Sequence, residues 1–223
     1  EVVIADADLA SAERAAAWIG GGRVGALRVD VTDERDVDGV LAGAACAVNA
    51  VTYYHNLQVM GACLRNRVPY VDLGGLFHTT RKQLALDAAF REAGVTGVLC
   101  MGSAPGLTNV QASLAARHLD ALHSIRIYDG IMPAEEESIN WGYSLATILD
   151  EVTMNPFTYR QGEFAELEPV AEPEPYPFRD PIGLQTVHHT LHSEVATLPL
   201  AFAQRGVREV SYKINYFGFA PGV

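Results

Sequence analysis

The sequence predicts an α/β protein: a parallel sheet covered by helices, then a second, α+β domain with a mixed or antiparallel sheet. Through the first hundred residues, short apolar runs alternate with helical stretches and give five βα units. After Gly102 the texture changes. Near the end, Val210, Tyr212, Ile214 and Tyr216 alternate with Glu209, Ser211, Lys213 and Asn215, a period-2 strand with one buried face. The expected domains are residues 1–106 and 107–223, and no internal repeat is visible.

Val2 to Ala5 is an apolar run ending at Asp6, Leu9 to Ile19 is helical, and Val24 to Val31 is strand-like. Thr32-Asp33-Glu34 can cap a short helix reaching Leu41. Ala45 to Val51 is apolar, His55 to Arg67 helical, and Pro69 to Leu73 extended. One helix is expected over Thr79 to Ala93, closed by Gly94, and a buried strand over Val95 to Met101. Leu107 to Leu119 reads as a long helix, and the alternating Ile125, Ile127 and Ile131 as a strand. Leu145 to Val152 reads as a helix, and Phe157 to Leu167 as a hairpin turning at Gln161-Gly162. The Pro-rich segment from Glu168 to Pro181 reads as an ordered loop or linker.

At 223 residues, 49% hydrophobic and 19% charged, the chain is globular and long enough to bury a core. A net charge of −11 repels nucleic acid and anionic membranes, and no apolar run has bilayer length. Cys46, Cys63 and Cys100 lie in apolar runs without CxxC spacing and read as buried free thiols of a cytoplasmic protein, and no signal peptide is recognisable. Glu1 lies already inside a strand and Val223 follows one closely, so both ends read as cuts through a longer protein.

Gly20, Gly22 and Gly25 spell GxGxxG, but a helix precedes them and a strand follows, the reverse of a phosphate-binding turn. They read as a helix stop. Asp6 is the better cofactor candidate. In a Rossmann fold an acid ending the second strand accepts hydrogen bonds from the adenosine ribose. With Asp6 in that place, one strand, a Gly-rich turn and a helix would precede Glu1. The acid, with no Arg directly after it, favours NAD over NADP. An ordinary role capping the next helix is the alternative, although Asp8 could do that capping.

Four segments carry a more specific signal: Pro69 to Gly75, Gly102 to Asn109, Asp150 to Pro156, and Thr190 to Pro199. Together, in order, they resemble the saccharopine dehydrogenase-like family, and within it lysine 6-dehydrogenases. The resemblance implies a Rossmann domain and an α+β domain that binds an amino-acid substrate and mediates dimerisation. It assigns Asp6 to the ribose, Asp30 and Val31 to the adenine, and Asn49, Ala50 and Val51 to the nicotinamide-side ribose and phosphates. Asp72 and Gly74 fall beside the nicotinamide. Asp30 and Asn49 can equally be turn-stabilising residues. In Gly102–Leu107, Pro105 fixes φ and Gly106 permits close approach, so backbone N–H groups could face a carboxamide or carboxylate. A plain domain-crossing turn is the alternative.

The implied chemistry is hydride transfer from a C–H beside an amine to NAD, with NADP also possible, after a base removes the nitrogen's proton. His192 is the candidate base; Glu194 could orient it or bind the substrate ammonium, and Glu151 and Asp72 are further anionic candidates. Lysine is the leading substrate. Saccharopine or carboxynorspermidine would need cations such as Arg81, Lys82, Arg126 or Arg160 for their extra carboxylates. A nucleotide-binding protein without catalysis is the third reading. A zinc site at His188, His189 and His192 is disfavoured, because the His188/His192 spacing of four shares a face only on a helix, Val187 to Thr190 reads as extended, and no third ligand has a recognised place.

Overall fold

The computed structural model describes residues 1–132 and 143–216. Contacts divide the chain into two compact units: Glu1–Val71 with Ala85–Val98, and Asp72–Leu84 with Leu99–Val223.

The first unit opens with β1 (Val2–Asp6), α1 (Leu9–Ile19) and β2 (Val24–Arg28). Asp8 caps α1 by accepting from Ala10 N, and Gly20 closes it at φ +71°, its N–H bonded to Ala16 O at 3.0 Å. The glycine spelling is a helix stop, as its order implies. Next come α2 (Glu34–Leu41), capped by Asp33, β3 (Ala47–Asn49), α3 (Asn56–Asn66) and β4 (Tyr70–Asp72). Helix α4 (Leu76–Leu84), which belongs to the second unit, and α5 (Asp87–Ala93), which belongs to the first, precede β5 (Gly97–Val98).

The strands form two sheets, β1–β2 and β3–β4–β5; β1 runs parallel to β2, and β4 to β5. Apolar residues of the helices pack inward to make the core, among them Ala12, Val37, Met60, Cys63 and Phe90. The single helix expected over Thr79 to Ala93 is broken at Ala85–Leu86, where the chain passes between the units. The buried strand expected from Val95 shrinks to two exposed residues, and Cys100 beyond it turns to φ +64° to meet Asp72.

The second unit holds α6 (Leu107–Ala116), β6 (Ser124–Gly130), α7 (Leu145–Thr153), β7 (Phe157–Arg160) and β8 (Glu163–Glu166). It continues through β9 (Glu174–Pro177), β10 (Leu184–His189) and α8 (Glu194–Ala201) to β11 (Glu209–Asn215). The sheet order is β8-β7-β11-β10-β9, with β6 added parallel to β11, so the sheet is mixed. The β7–β8 hairpin turns where expected, with Gln161 and Gly162 both at positive φ. The Pro-rich segment contributes a strand after all, since β9 pairs with β10 over Glu174 to Pro177. Ala116, Leu122, Leu198, Val207 and Val210 form the core beneath the sheet.

Candidate functional site

The second unit gathers several of its buried ionisable groups around one imidazole. His192 precedes α8 and is 4% exposed. Its Nδ1 lies 2.8 Å from Glu194 Oε2, and its Nε2 lies 3.7 Å from Glu151 Oε1. The ring stacks on Tyr212 of β11 at 3.7 Å between centroids and 12° from parallel. Burial pulls the imidazole pKa down, but Glu194, by charge and hydrogen bond, and then Glu151 and Asp129 outweigh it, so His192 titrates above its ordinary range. A carboxylate on Nδ1 fixes the N–H there and leaves Nε2 as the exchanging atom.

Both glutamates are held in turn. Thr108 Oγ1 donates to Glu194 Oε1 at 2.8 Å, and Asn109 Nδ2 donates to Thr197 Oγ1 at 3.0 Å, so α6 orients the start of α8. Glu151 Oε2 accepts from the Tyr143 hydroxyl at 2.6 Å and from the Tyr216 hydroxyl, and the two hydroxyls lie 3.2 Å apart. Burial and the Glu151 charge push both phenols up, so they remain protonated donors. Tyr212, raised by burial and then by Glu194, donates to Asp129 Oδ2 at 2.9 Å. Tyr143 is 45% exposed, which gives this buried chain of groups an outlet. The arrangement sets an exchangeable Nε2 beside Glu151 and can hold a cationic nitrogen among acids.

Asp72 is fully buried. Its Oδ1 accepts from Gly74 N at 3.0 Å and Cys100 N at 2.8 Å, and its Oδ2 from Gln83 Nε2 at 2.5 Å. It therefore ties the start of this unit to the Gly102 turn. Cys100, read from the sequence as an ordinary buried thiol, belongs to this cluster; burial, reinforced by Asp72, pushes it up to about 12, so it stays a thiol. Gly102, Pro105 and Gly106 form a turn with no room to spare. A Cβ on Gly106, at φ +130°, would lie 2.2 Å from Gly102 O, and one on Gly74 would lie 2.7 Å from Pro105 Cγ. The amides of Gly106, Leu107 and Thr108 donate to Asn109 Oδ1, Gly102 O and Ser103 O. Those donors are spent inside the turn.

In the first unit, Asp6 is exposed at the carboxyl end of β1 and accepts from Asp8 N at 2.8 Å; Asp8 does the capping. Asp30 accepts from the Thr32 N–H and hydroxyl, and those bonds hold its carboxyl below the usual range. Val31 follows it, half-buried. Asn49 is a network residue: its Nδ2 donates to Asn56 Oδ1 at 2.8 Å and to the Tyr70 hydroxyl at 3.0 Å, both buried. Ala50 and Val51 are exposed after β3. Arg28, which sequence reasoning passed over because it is distant in the chain, is the in-register partner of Asp6 across β1–β2. Only strand pairing reveals it.

Arg126 and Arg160 line a pocket with Lys213, a residue that alternates with Tyr212 to the other face of β11; Arg81 lies over the Phe164 ring at 5.0 Å. His188 and His189 are consecutive residues of β10, so their side chains point to opposite faces. Among the described residues, no helix is long and apolar enough to cross a membrane.

Known proteins resemble this chain in sequence and in fold. Residues 1–98 match the model of the saccharopine dehydrogenase NADP binding domain. The chain is 25% identical over 181 residues to a carboxyaminopropylagmatine dehydrogenase from Synechocystis sp., covering 77% of this chain and 45% of that protein. It is 24% identical over 162 residues to a carboxynorspermidine synthase from Vibrio alginolyticus, covering 68% and 39%. Among solved structures, the apo saccharopine dehydrogenase (L-Glu forming) from Saccharomyces cerevisiae superposes with a TM-score of 0.70 at 22% identity, over 98% of this chain and 50% of that one. The chain thus spans half or less of each of these relatives. Residues 1–98 thus resemble a saccharopine dehydrogenase NADP binding domain, a match that supports NAD(P) binding, and the chain shares the fold of saccharopine dehydrogenase.

Proposed function

We propose that the intact protein oxidises a carbon–nitrogen bond of a cationic amine, or reduces the corresponding imine, using NAD(P). The observation that carries this reading is His192, with Nδ1 bound to Glu194 and Nε2 facing Glu151. A base of raised pKa suits removal of an ammonium proton, and the charges acting on it are all acids. Bound nicotinamide would supply the hydride acceptor or donor.

The residues divide the work. His192 Nε2 takes the nitrogen's proton, Glu194 holds its tautomer, and Glu151 with Tyr143 and Tyr216 receives the cationic group. Asp72 positions the Gly74 and Cys100 backbone rather than touching the substrate. Residues 1–106 form the cofactor domain and 107–223 the substrate domain, with dimerisation through the latter in a cytoplasmic enzyme. Asp6 fits a ribose hydroxyl, being exposed at a strand's carboxyl end and not consumed by helix capping. Read as strands two to six in the order 3-2-1-4-5-6, β1 to β5 part into two sheets at the place of strand one.

Two substrates compete. The acidic surroundings of His192 suit the ε-ammonium of lysine. The names of the two curated relatives favour a secondary amine that joins a carboxylated fragment to a polyamine-like chain. Amine-dependent NAD(P)H formation by the intact protein, over lysine, saccharopine and carboxylated polyamines, decides between them. Cofactor binding with no turnover of any amine or imine would replace both with a nucleotide-binding role.

A further inference from the structure

The sheet of the second unit forks along β11. Its parallel partner β6 follows it over seven residues, but on the other edge β7 pairs only at Val210 and β10 only at Lys213 and Ile214. Between them a pocket of about 300 Å³ opens, with Ser211 in its lining. Alternation along β11 sends Glu209, Ser211 and Lys213 to this face and Val210, Tyr212 and Ile214 to the face that carries His192. The pocket is therefore separate from the site described above.

Its charges come in balanced pairs. Arg126 meets Glu209 at 3.4 Å, Arg160 meets Glu172, and Lys213 meets Glu174 at 3.1 Å while donating to Glu172 O at 2.7 Å. The Lys213 ammonium is nearly buried, whereas Glu209, Glu172, Glu174 and Arg160 are each at least 40% exposed and can turn toward a guest. His189, opposite Lys213 across β10–β11, is buried; its Nε2 lies 3.2 Å from Glu172, and its Nδ1 has no partner among the described residues. Burial holds this imidazole below its ordinary range, so it adds a neutral donor or acceptor.

A pure anion here would meet three carboxylates, and a pure cation three bases. A small molecule carrying both charges meets a partner at each end and leaves the pocket neutral. We propose that this pocket binds a free α-amino acid as its zwitterion, the carboxylate on the guanidinium groups and the ammonium on the glutamates. The ammonium's N–H donors matter, because the glutamates can only accept.

The test is calorimetric titration of the intact protein with L-glutamine, a zwitterion of no net charge, beside glycine betaine, acetate and ethylammonium. Saturable glutamine binding is expected, weakened about tenfold or more by Arg160→Ala and by Glu172→Gln. Both replace partly exposed side chains outside the core. His192→Asn should leave this binding unchanged, which separates the pocket from the catalytic proposal. Four outcomes overturn the idea: no saturable binding, betaine binding as tightly as glutamine, acetate or ethylammonium alone binding as well, or variants that bind like the parent. A dimer that Arg126→Glu dissociates, with no glutamine binding, would give this face to a second copy of the chain and also overturn it.

Discussion

Tyr212 lies flat against His192, ring centroids 3.7 Å apart, while its hydroxyl is tied to Asp129. One side chain on β11 thus sets the plane of the imidazole and brings a third carboxylate within electrostatic reach of it. Tyr212→Phe keeps the ring and loses the bond to Asp129; Tyr212→Leu loses both. Stacking is worth about 0.5–1.5 kcal/mol. The leucine variant should therefore lose more kcat than the phenylalanine variant, with KM less affected, in steady-state kinetics. Equal kinetics for both variants and the parent would remove Tyr212 from any positioning role.

His192 titrates above 6.5, and a base works only when deprotonated. Amine oxidation should rise with pH and level off only above that raised pKa. Glu194→Gln removes the strongest upward influence and should move the limb to lower pH. Loss of the base itself, in His192→Asn, should cost on the order of 10²–10⁴ in kcat/KM. The sign for stability is opposite: a raised pKa stabilises the fold fully below 6.5 and progressively less as pH climbs through the folded value. Urea unfolding of parent and His192→Asn across that range should show their difference shrinking as pH rises.

Gly106→Ala should destabilise by roughly 3 kcal/mol or more, because φ +130° is a glycine conformation and the new methyl would meet Gly102 O at 2.2 Å. Gly43→Ala, at φ +78° with open space around it, bears only the conformational cost and should lose less. Urea midpoints for the two variants make the comparison.

The three cysteines should separate by reactivity. Cys46 is exposed, contrary to the buried position its apolar run implied, whereas burial pushes Cys63 up to about 11 and Cys100 up to about 12. Brief iodoacetamide treatment of the native protein near neutral pH should add one label, at Cys46, and urea should release the other two. Fast native labelling of Cys100 would contradict the packing around Asp72.

Cofactor choice should respond to the pair at the ends of β1 and β2. Asp6→Ser removes a carboxylate that repels a 2′-phosphate and should shift the kcat/KM ratio toward NADP by about tenfold or more. Arg28→Ala should shift it the other way, since an Arg nearby accommodates that phosphate. Unchanged ratios in both variants would mean the adenosine end binds elsewhere.

Much of this was legible in the sequence because it is local. The Gln161-Gly162 turn, the Asp8 cap, the Gly20 stop and the alternation of β11 each follow from a few adjacent residues. The motif around His192 also named Glu194 and Glu151, which the structure brings to its two ring nitrogens. What escaped depended on distance along the chain. Tyr143 and Tyr216 meet Glu151 from eight and 65 residues away, Cys100 meets Asp72 across 28, and Arg28 reaches Asp6 only through strand pairing. The break at Ala85 was invisible because helix propensity there is unremarkable and the interruption answers to tertiary packing.

The β6–β11 ladder holds seven consecutive residues in register, from Glu209 opposite Ser124 to Asn215 opposite Gly130. Removing a single residue from within it would turn every later side chain over, sending the ring that supports the imidazole outward and an ammonium into the apolar layer. Homologues should therefore keep the number of residues in this ladder constant, with insertions displaced to the hairpin at Gly162.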